Sequence, residues 1–222
     1  MPKPISEVRK PEIVQAAFSA ILKDGLSPIS YDLIAREADM SRQLIRHYFP
    51  DPAMLMEAVC NHMADAYRDC LMKGILQADK STRLQTFLDF YFDFLAGKDN
   101  AKPRDDQVYD AMFALANSLP NVRQNLHQQY DLLRHTLAHE IQVSYPQLNQ
   151  KACREIGYLF VCLMYGHWKM VASLGFSEDN NAVTRAAVDR LIDSYLQHYD
   201  DPDMKPVDGF QEDSDEGSGS GD

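Results

Sequence analysis

The apolar residues of this 222-residue chain recur with the spacing of an α-helix along almost its whole length. The clearest example runs from Val122 to Ile141, where apolar side chains return every three or four positions. We find no convincing alternation of apolar and polar residues, which is the pattern expected of a half-buried β-strand. The sequence therefore predicts an all-α protein with nine helices joined by short turns.

Capping residues indicate where the helices begin and end. Gly25 is suited to end the first helix, and Ser30 and Ser41 are suited to start two short ones. Asp51 followed by Pro52 predicts the N-cap and the first residue of a long fourth helix. The apolar runs of the later helices cover residues 84–95, 108–116, 122–141, 149–174 and 180–198.

Charge is distributed unevenly along the chain, whose formal net charge is -11. Residues 1–50 carry seven basic and six acidic side chains, whereas residues 200–222 carry nine acidic side chains and Lys205. The last segment combines this charge with Gly, Ser and Pro, so we expect a disordered acidic tail. The simplest role of this tail is to increase the solubility of the protein. The alternative is that the tail acts as an intramolecular mimic of nucleic acid.

The sequence gives no sign of secretion or membrane insertion. The N-terminal residues lack an apolar signal segment, and the longest apolar stretch, 156–172, is interrupted by glycines and polar residues. The four cysteines form no Cys-x-x-Cys pair. We therefore expect a reduced, cytoplasmic protein that has no membrane partner.

The first fifty residues contain the pattern of a helix-turn-helix motif, with Asp39 and Met40 in the turn. The third helix has a polar face made of Arg42, Gln43, Arg46, His47 and Tyr48. Because Arg can read guanine and Gln can read adenine in the major groove, this face predicts DNA binding. An ordinary three-helix subdomain with a solvated basic face is the alternative.

Residues 9–60 resemble the tetracycline-repressor (TetR) family of bacterial regulators. The matching positions are 13–18, Asp24-Gly25, Ser30, 34–38, Met40-Ser41, His47-Tyr48-Phe49-Pro50 and Leu55. The resemblance implies a TetR-like architecture, with a helix-turn-helix domain at 1–50, a ligand-binding and dimerisation domain at 51–199 and the tail at 200–222. It also implies a repressor that a small-molecule effector releases from a palindromic operator. The implied DNA contacts are Ser30, Tyr31, Ser41, Arg42, Gln43, Arg46, His47 and Tyr48.

Three positions depart from the pattern of that family. Asp39 stands where glycine is usual, and because Asp tolerates a left-handed backbone we expect the turn to persist. Arg46 stands where an aromatic residue is common, which implies a different base preference. Pro52 replaces a lysine that contacts phosphate, and the N–H groups at that helix start are a partial substitute.

The helix at residues 156–171 is apolar on nearly every side, so it requires burial on every side. One side can face its own domain and the other a second copy, with the last helix as companion. The expected dimer interface is Leu159, Leu163, Val188, Leu191, Ile192 and Tyr195. A fully buried central helix of a monomer is the alternative.

Aromatic residues indicate a ligand pocket in the second domain, since five of the eight positions 87–94 are aromatic. A mostly apolar box with a few polar groups suits a small organic effector. The expected lining is Phe87, Phe90, Tyr91, Phe94, Met112, Phe113, Met164, Tyr165, His167 and Trp168. For each of these residues alone, filling of the core is the alternative, and the resemblance implies the pocket.

Histidines and an aspartate recur every four residues at His127, Asp131, His135 and His139. Two of them could hold a metal with a third ligand from elsewhere, and a solvated polar stripe is the other interpretation. The chain lacks the phosphate-binding, nucleophile-elbow and zinc-protease motifs, so we expect neither an enzyme nor a cofactor. A helical small-molecule-binding or interaction protein without DNA binding is the alternative function.

Overall fold

The computed structural model describes residues 5–25, 30–95 and 105–198. Within these ranges the chain forms nine α-helices and no β-strand. They are α1 (Ile5–Asp24), α2 (Tyr31–Ala38), α3 (Arg42–Tyr48), α4 (Pro52–Gln77), α5 (Arg83–Tyr91), α6 (Asp106–Leu115), α7 (Pro120–Ser144), α8 (Gln150–Trp168) and α9 (Asn180–Gln197). One turn of π-helix, Lys169–Ser173, continues α8 and is called the π-turn below. The all-α prediction is confirmed, and the predicted tail at 200–222 lies outside the described residues.

Local capping sets the helix starts as the sequence predicts. The Ser30 hydroxyl accepts a hydrogen bond from the backbone N–H of Leu33 at 3.3 Å, and Ser41 does the same for Leu44 at 3.2 Å. Asp39 ends α2 with φ 50° and ψ 46°, so the turn adopts the left-handed conformation with Asp in place of glycine.

The helices pack around two apolar cores. The first core joins α1, α2, α3 and α4 to α6 and the first half of α7. The second core joins α5, the second half of α7, α8 and α9. Tyr130, in the middle of α7, packs against both cores. The helices of the predicted 1–50 domain therefore share a continuous apolar core with helices of the second domain.

A close crossing of α7 and α8 fixes the position of α8. A Cβ atom at Gly157 would lie 2.5 Å from the backbone oxygen of Arg134, so only glycine fits there. This contact presses the apolar side of α8 into the second core, where Ile156 and Phe160 are fully buried. Among the described helices, none is long and apolar enough to cross a membrane.

Candidate DNA-binding surface and ligand cavity

The third helix presents its polar face to solvent because its apolar face is held in the first core. Ile34 of α2 and Ile45 of α3 are buried there and fix the two helices against α1. Four of the predicted contact residues, Arg42, Gln43, Arg46 and His47, are exposed on α3. The structure thus leaves this face open to a partner.

The two capping serines lie at the helix starts that frame this face. Each hydroxyl already accepts one backbone hydrogen bond, from Leu33 for Ser30 and from Leu44 for Ser41. A serine hydroxyl also carries one proton to donate, so both residues keep a donor for a phosphate oxygen.

The Tyr31 ring packs against the side chain of Arg46. The Tyr31 hydroxyl donates a hydrogen bond to the backbone oxygen of Phe49 at 2.7 Å, which ties the start of α2 to the end of α3. The Arg46 guanidinium lies 5.4 Å from the centre of the Tyr31 ring, in the range of a cation–π interaction. Burial, followed by the negative charge of Asp51, raises the pKa of Tyr31, so its hydroxyl stays protonated at neutral pH. Tyr31 therefore helps to position Arg46.

Arg42 has a partner that the sequence did not reveal. Its Nε atom lies 2.7 Å from Oδ1 of Asp32 on α2, and both side chains are about half exposed. The sequence separation of Arg42 and Asp32 does not predict this contact, because the two side chains meet only through the packing of α2 on α3. A surface ion pair of this kind is weak, so a phosphate or a base can compete with Asp32 for Arg42.

His47 and Tyr48 complete the α3 face at its C-terminal end. Their ring centroids are 5.1 Å apart in an edge-to-face arrangement. His47 is exposed, whereas Tyr48 is partly buried against the first core. Tyr48 therefore has less freedom than His47 to reach a partner.

A cavity of about 840 Å³ opens between α4, α6, α7 and α8, where the two cores meet. This volume lies within the range of small-molecule sites. The lining includes aromatic, acidic and amide side chains together with a methionine and a lysine, among them Tyr67, Tyr91, Asp106, Tyr109, Asp110, Asn125, Tyr130, Met164, Tyr165, Trp168 and Lys169. Asp65, Arg68, Met72 and Leu132 also line the cavity.

Aromatic rings form the inner wall of this cavity. The indole N–H of Trp168 donates to the backbone oxygen of Tyr91 at 2.9 Å, which fixes the indole between α8 and α5. The Tyr67 and Tyr91 rings are stacked, and the Tyr67 hydroxyl donates to Asp105 at 3.0 Å. Burial raises the pKa of Tyr67 well above its usual range, so the phenol remains a hydrogen-bond donor.

Carboxylates and one lysine form the polar end of the cavity. The Lys169 ammonium pairs with Asp110 of α6, and the Ser173 hydroxyl donates to the same carboxylate at 2.6 Å. Lys169 also lies 5.3 Å from the centre of the Tyr165 ring. Desolvation lowers the pKa of Lys169, which the negative charge of Asp106 partly offsets.

One amide on the wall has unused hydrogen-bonding capacity. The Nδ2 atom of Asn125 is buried and has no hydrogen-bond partner among the described residues. A buried donor without a partner is unfavourable, and a ligand that carries an acceptor group would satisfy it.

Only four of the ten residues that the sequence predicts for the pocket line this cavity. Tyr91, Met164, Tyr165 and Trp168 line it. Phe87, Phe90 and Met112 instead fill the two cores and are almost completely buried. The prediction is corrected at these three positions, because helical periodicity marks an apolar face without showing whether a neighbour or a cavity covers it.

The other predicted pocket residues also lie outside the lining. Phe94 is 47% exposed, and Phe113 packs behind the rings of Tyr130 and Tyr165. His167 turns toward α9, where its two ring nitrogens lie 3.0 Å from Asn181 and 3.0 Å from Thr184. These positions are corrections too, since each side chain is engaged elsewhere or points to solvent.

The sequence prediction omitted three tyrosines that dominate the wall, namely Tyr67, Tyr109 and Tyr130. Tyr67 and Tyr130 belong to regular apolar stripes, a pattern that predicts packing in a core. The phenol hydroxyl of each tyrosine is the feature that could have indicated a polar cavity, because a buried hydroxyl needs a polar partner that an aliphatic core does not supply.

The predicted dimer residues are divided between the core and the surface. Val188 and Ile192 are 0% and 2% exposed within the second core of their own chain, which corrects their assignment to an interface. Leu163 is 38% exposed, and Leu159, Leu191 and Tyr195 are partly buried. The exposed apolar residues of α8 and α9 also include Tyr158 and Val183.

The row of histidines on α7 is organised by ion pairs. Asp131 accepts a hydrogen bond from Arg134 at 2.6 Å and lies 3.1 Å from the His135 ring. Within the part of the chain that the structure describes, no three His, Cys, Asp or Glu side chains are grouped as metal ligands. Asp131 is thus engaged by Arg134 and His135, an arrangement typical of a solvated polar stripe.

Comparisons with known proteins agree with this architecture. No protein-family model matches the chain. The chain is 26% identical over 185 residues to the HTH-type transcriptional regulator BetI of Escherichia coli O17:K52:H18, covering 79% of this chain and 88% of that protein. It is 34% identical over 100 residues to BetI of Proteus mirabilis, covering 42% of this chain and 48% of that protein.

Solved structures show the same fold. A TetR transcription regulator from Haloarcula marismortui superimposes with a TM-score of 0.72 at 15% identity, covering 85% of this chain and 98% of its own. A transcriptional regulator from Saccharomonospora viridis in complex with choline gives a TM-score of 0.68 at 18% identity, covering 86% and 97%. Sequence likeness, fold and the motif of α2 and α3 together make this chain similar to helix-turn-helix transcriptional regulators of the TetR type.

Proposed function

We propose that this regulator acts in the cytoplasm as a homodimeric repressor, which a small organic cation releases from a palindromic operator. The observation that carries the proposal is the polar face of α3, held outward by a buried Ile45 while its basic side chains remain accessible. The chain is acidic overall, with a net charge of -11, so its DNA contacts depend on this local group of basic residues.

The readout of bases is assigned to Arg42, Gln43 and Arg46. Arginine can form two hydrogen bonds to guanine, and glutamine can form two to adenine. Ser30, Tyr31, Ser41, His47 and Tyr48 lie around this group and would contact phosphates or base edges. At the start of α4, the Asp51 carboxylate accepts the N–H of Ala53 at 2.9 Å, which makes that helix start a poor phosphate site.

A dimer is proposed because one short recognition helix reads only a few base pairs. Two copies would place their α3 helices one turn of DNA apart, about 34 Å. Exposed apolar residues on α8 and α9, including Tyr158, Leu163 and Val183, are available for burial against a second copy.

The effector is proposed to be a small organic cation that also carries a hydrogen-bond acceptor. Aromatic faces and carboxylates are the groups that stabilise such a cation, and the cavity wall contains both. The unsatisfied amide of Asn125 supplies a donor for the acceptor group. The choline complex of the Saccharomonospora viridis protein supports this choice of ligand class.

The test begins with selection of bound duplexes from a randomised DNA library by the full-length protein. We expect a palindromic site, and Arg42→Ala or Arg46→Ala to remove about 1–3 kcal/mol of discrimination against a scrambled site. Lys80→Ala removes an exposed charge from the turn before α5 and serves as the control. Failure to select any sequence would favour the alternative, a small-molecule-binding or interaction protein without DNA binding.

The effector is tested with choline on the selected duplex. We expect choline to weaken the wild-type complex in a mobility-shift assay, because the effector would favour the DNA-incompetent state. A complex that choline leaves unchanged or strengthens contradicts the proposed cation-released repressor while leaving DNA binding intact.

A further inference from the structure

The Lys169 side chain is a cation that the protein itself places in the cavity. Its ammonium contacts the Asp110 carboxylate and lies 5.3 Å from the centre of the Tyr165 ring. A carboxylate together with an aromatic face is the arrangement that also stabilises an organic ammonium ion. Lys169 therefore occupies a place that also suits a ligand of that class.

Apart from its contacts with Asp110, the π-turn that carries Lys169 has little buried surface. Its backbone bond from the N–H of Leu174 to the oxygen of Lys169 spans five residues, which is the π-helical pattern. Val171 is the buried residue of the turn, while Met170 and the following Leu174 are exposed. Asp110 thus holds both ends of the π-turn, through Lys169 at its start and Ser173 at its end.

Asp110 belongs to a helix that also contacts the DNA-binding end of the molecule. Val108, Ala111 and Met112 of α6 are buried in the first core, which contains the buried residues of α1, α2 and α3. Asp106 and Asp110, one turn apart on α6, line the cavity. A change at Asp110 therefore acts on a helix that is packed directly against the helix-turn-helix core.

We propose that an organic cation in the cavity displaces the Lys169 ammonium from Asp110 and thereby releases the π-turn from α6. This inference rests on the proposed function, since it assumes a cationic effector in this cavity. Charge is conserved in the exchange, because one cation replaces another beside the same carboxylate. The displaced Lys169 is already partly exposed, so water can take up its ammonium group.

The exchange is tested by titrating the full chain with choline and recording tryptophan fluorescence. Trp168 is the single tryptophan of the protein and lines the cavity, so its signal reports occupancy. Lys169→Gln removes the competing ammonium and should tighten choline binding about fivefold, the scale of a partly exposed ion pair. Asp110→Asn removes the shared carboxylate and should weaken it by a similar factor.

Matched controls separate the exchange from a general charge effect. Lys80→Gln and Asp69→Asn change the same charges at exposed positions outside the cavity lining and should leave the choline affinity unchanged. Neohexyl alcohol, the uncharged isostere of choline, should bind no more tightly to Lys169→Gln than to the wild type. Unchanged or weaker choline binding by a folded Lys169→Gln, including no binding by either protein, overturns the exchange.

Release of the π-turn is tested by hydrogen exchange. Saturating choline should speed amide exchange in residues 169–176 of the wild type, and Asp110→Asn should do so without choline. Choline-bound protein with unchanged or slower exchange there overturns the release. Binding of the ligand-free wild type to its selected duplex is measured separately, so failure of the exchange is distinguishable from failure of the DNA-binding proposal.

Discussion

The Nε atom of Arg42 lies 2.7 Å from Oδ1 of Asp32, so the foremost basic residue of α3 is paired with an acid of α2 before any DNA is present. The pair is solvated, with each side chain about half exposed, and can open without leaving a buried charge. Asp32 therefore competes with DNA for Arg42 and lowers the positive potential of the proposed recognition face.

Replacing this acid should strengthen DNA binding. We expect Asp32→Asn to raise affinity for a scrambled duplex by a factor of about 1.4 to 5, because a surface pair contributes roughly 0.2–1 kcal/mol. Affinity is measured by mobility shift at fixed salt, with Asp79→Asn, an exposed acid in the turn after α4, as the control. Equal affinity for Asp32→Asn and the wild type would show that the pair does not compete with DNA.

Ser41 should serve both the helix cap and the DNA contact, and two substitutions separate these roles. Ser41→Ala removes the cap hydrogen bond to Leu44 and should lower the free energy of unfolding by about 0.5–2 kcal/mol. Ser41→Asp retains a capping acceptor and should preserve stability, but its negative charge should weaken DNA binding. Urea denaturation and mobility shift measure the two effects. Full DNA affinity in a stable Ser41→Asp protein contradicts the phosphate contact.

The crossing of α7 and α8 should depend on Gly157. Gly157→Ala places a methyl group 2.5 Å from the Arg134 backbone oxygen, so we expect a loss of about 1–3 kcal/mol in the free energy of unfolding. Gly166→Ala is the control on the same helix, because a Cβ there meets no atom within 4 Å in the described part of the chain. Chemical denaturation should show Gly166→Ala unchanged or slightly more stable. Similar losses for both variants would contradict the close crossing.

Thiol reactivity should report whether α8 is covered by a second copy. Burial raises the pKa of Cys60 and of Cys153 to about 11, so both stay as unreactive thiols at neutral pH. Cys162 is exposed on α8 in the single chain. In a Cys70→Ser background we expect its labelling by a maleimide to quicken as the protein is diluted. Labelling that is fast at every concentration would place the dimer contact away from Cys162.

Residue periodicity predicted the helices because helix formation depends on neighbours a few positions away. The helix caps are local in the same way. Ser30, Asp39 and Ser41 each form a hydrogen bond with the helix that they begin or end, so their roles can be predicted from neighbouring residues. The exposed face of α3 was also predictable from local sequence. Its apolar residues occupy the side of the helix that packs in the core, so its polar residues must lie on the opposite, solvent-facing side.

The amino-acid sequence by itself thus determined an all-α chain with a helix-turn-helix motif at its start. Only the tertiary structure decided that Asp32 pairs with Arg42, that Tyr109 and Asp110 border a cavity, and that Val188 is enclosed by its own chain. The physical reason is that a helical stripe shows which side chains avoid water, whereas contacts between distant residues depend on how the helices cross.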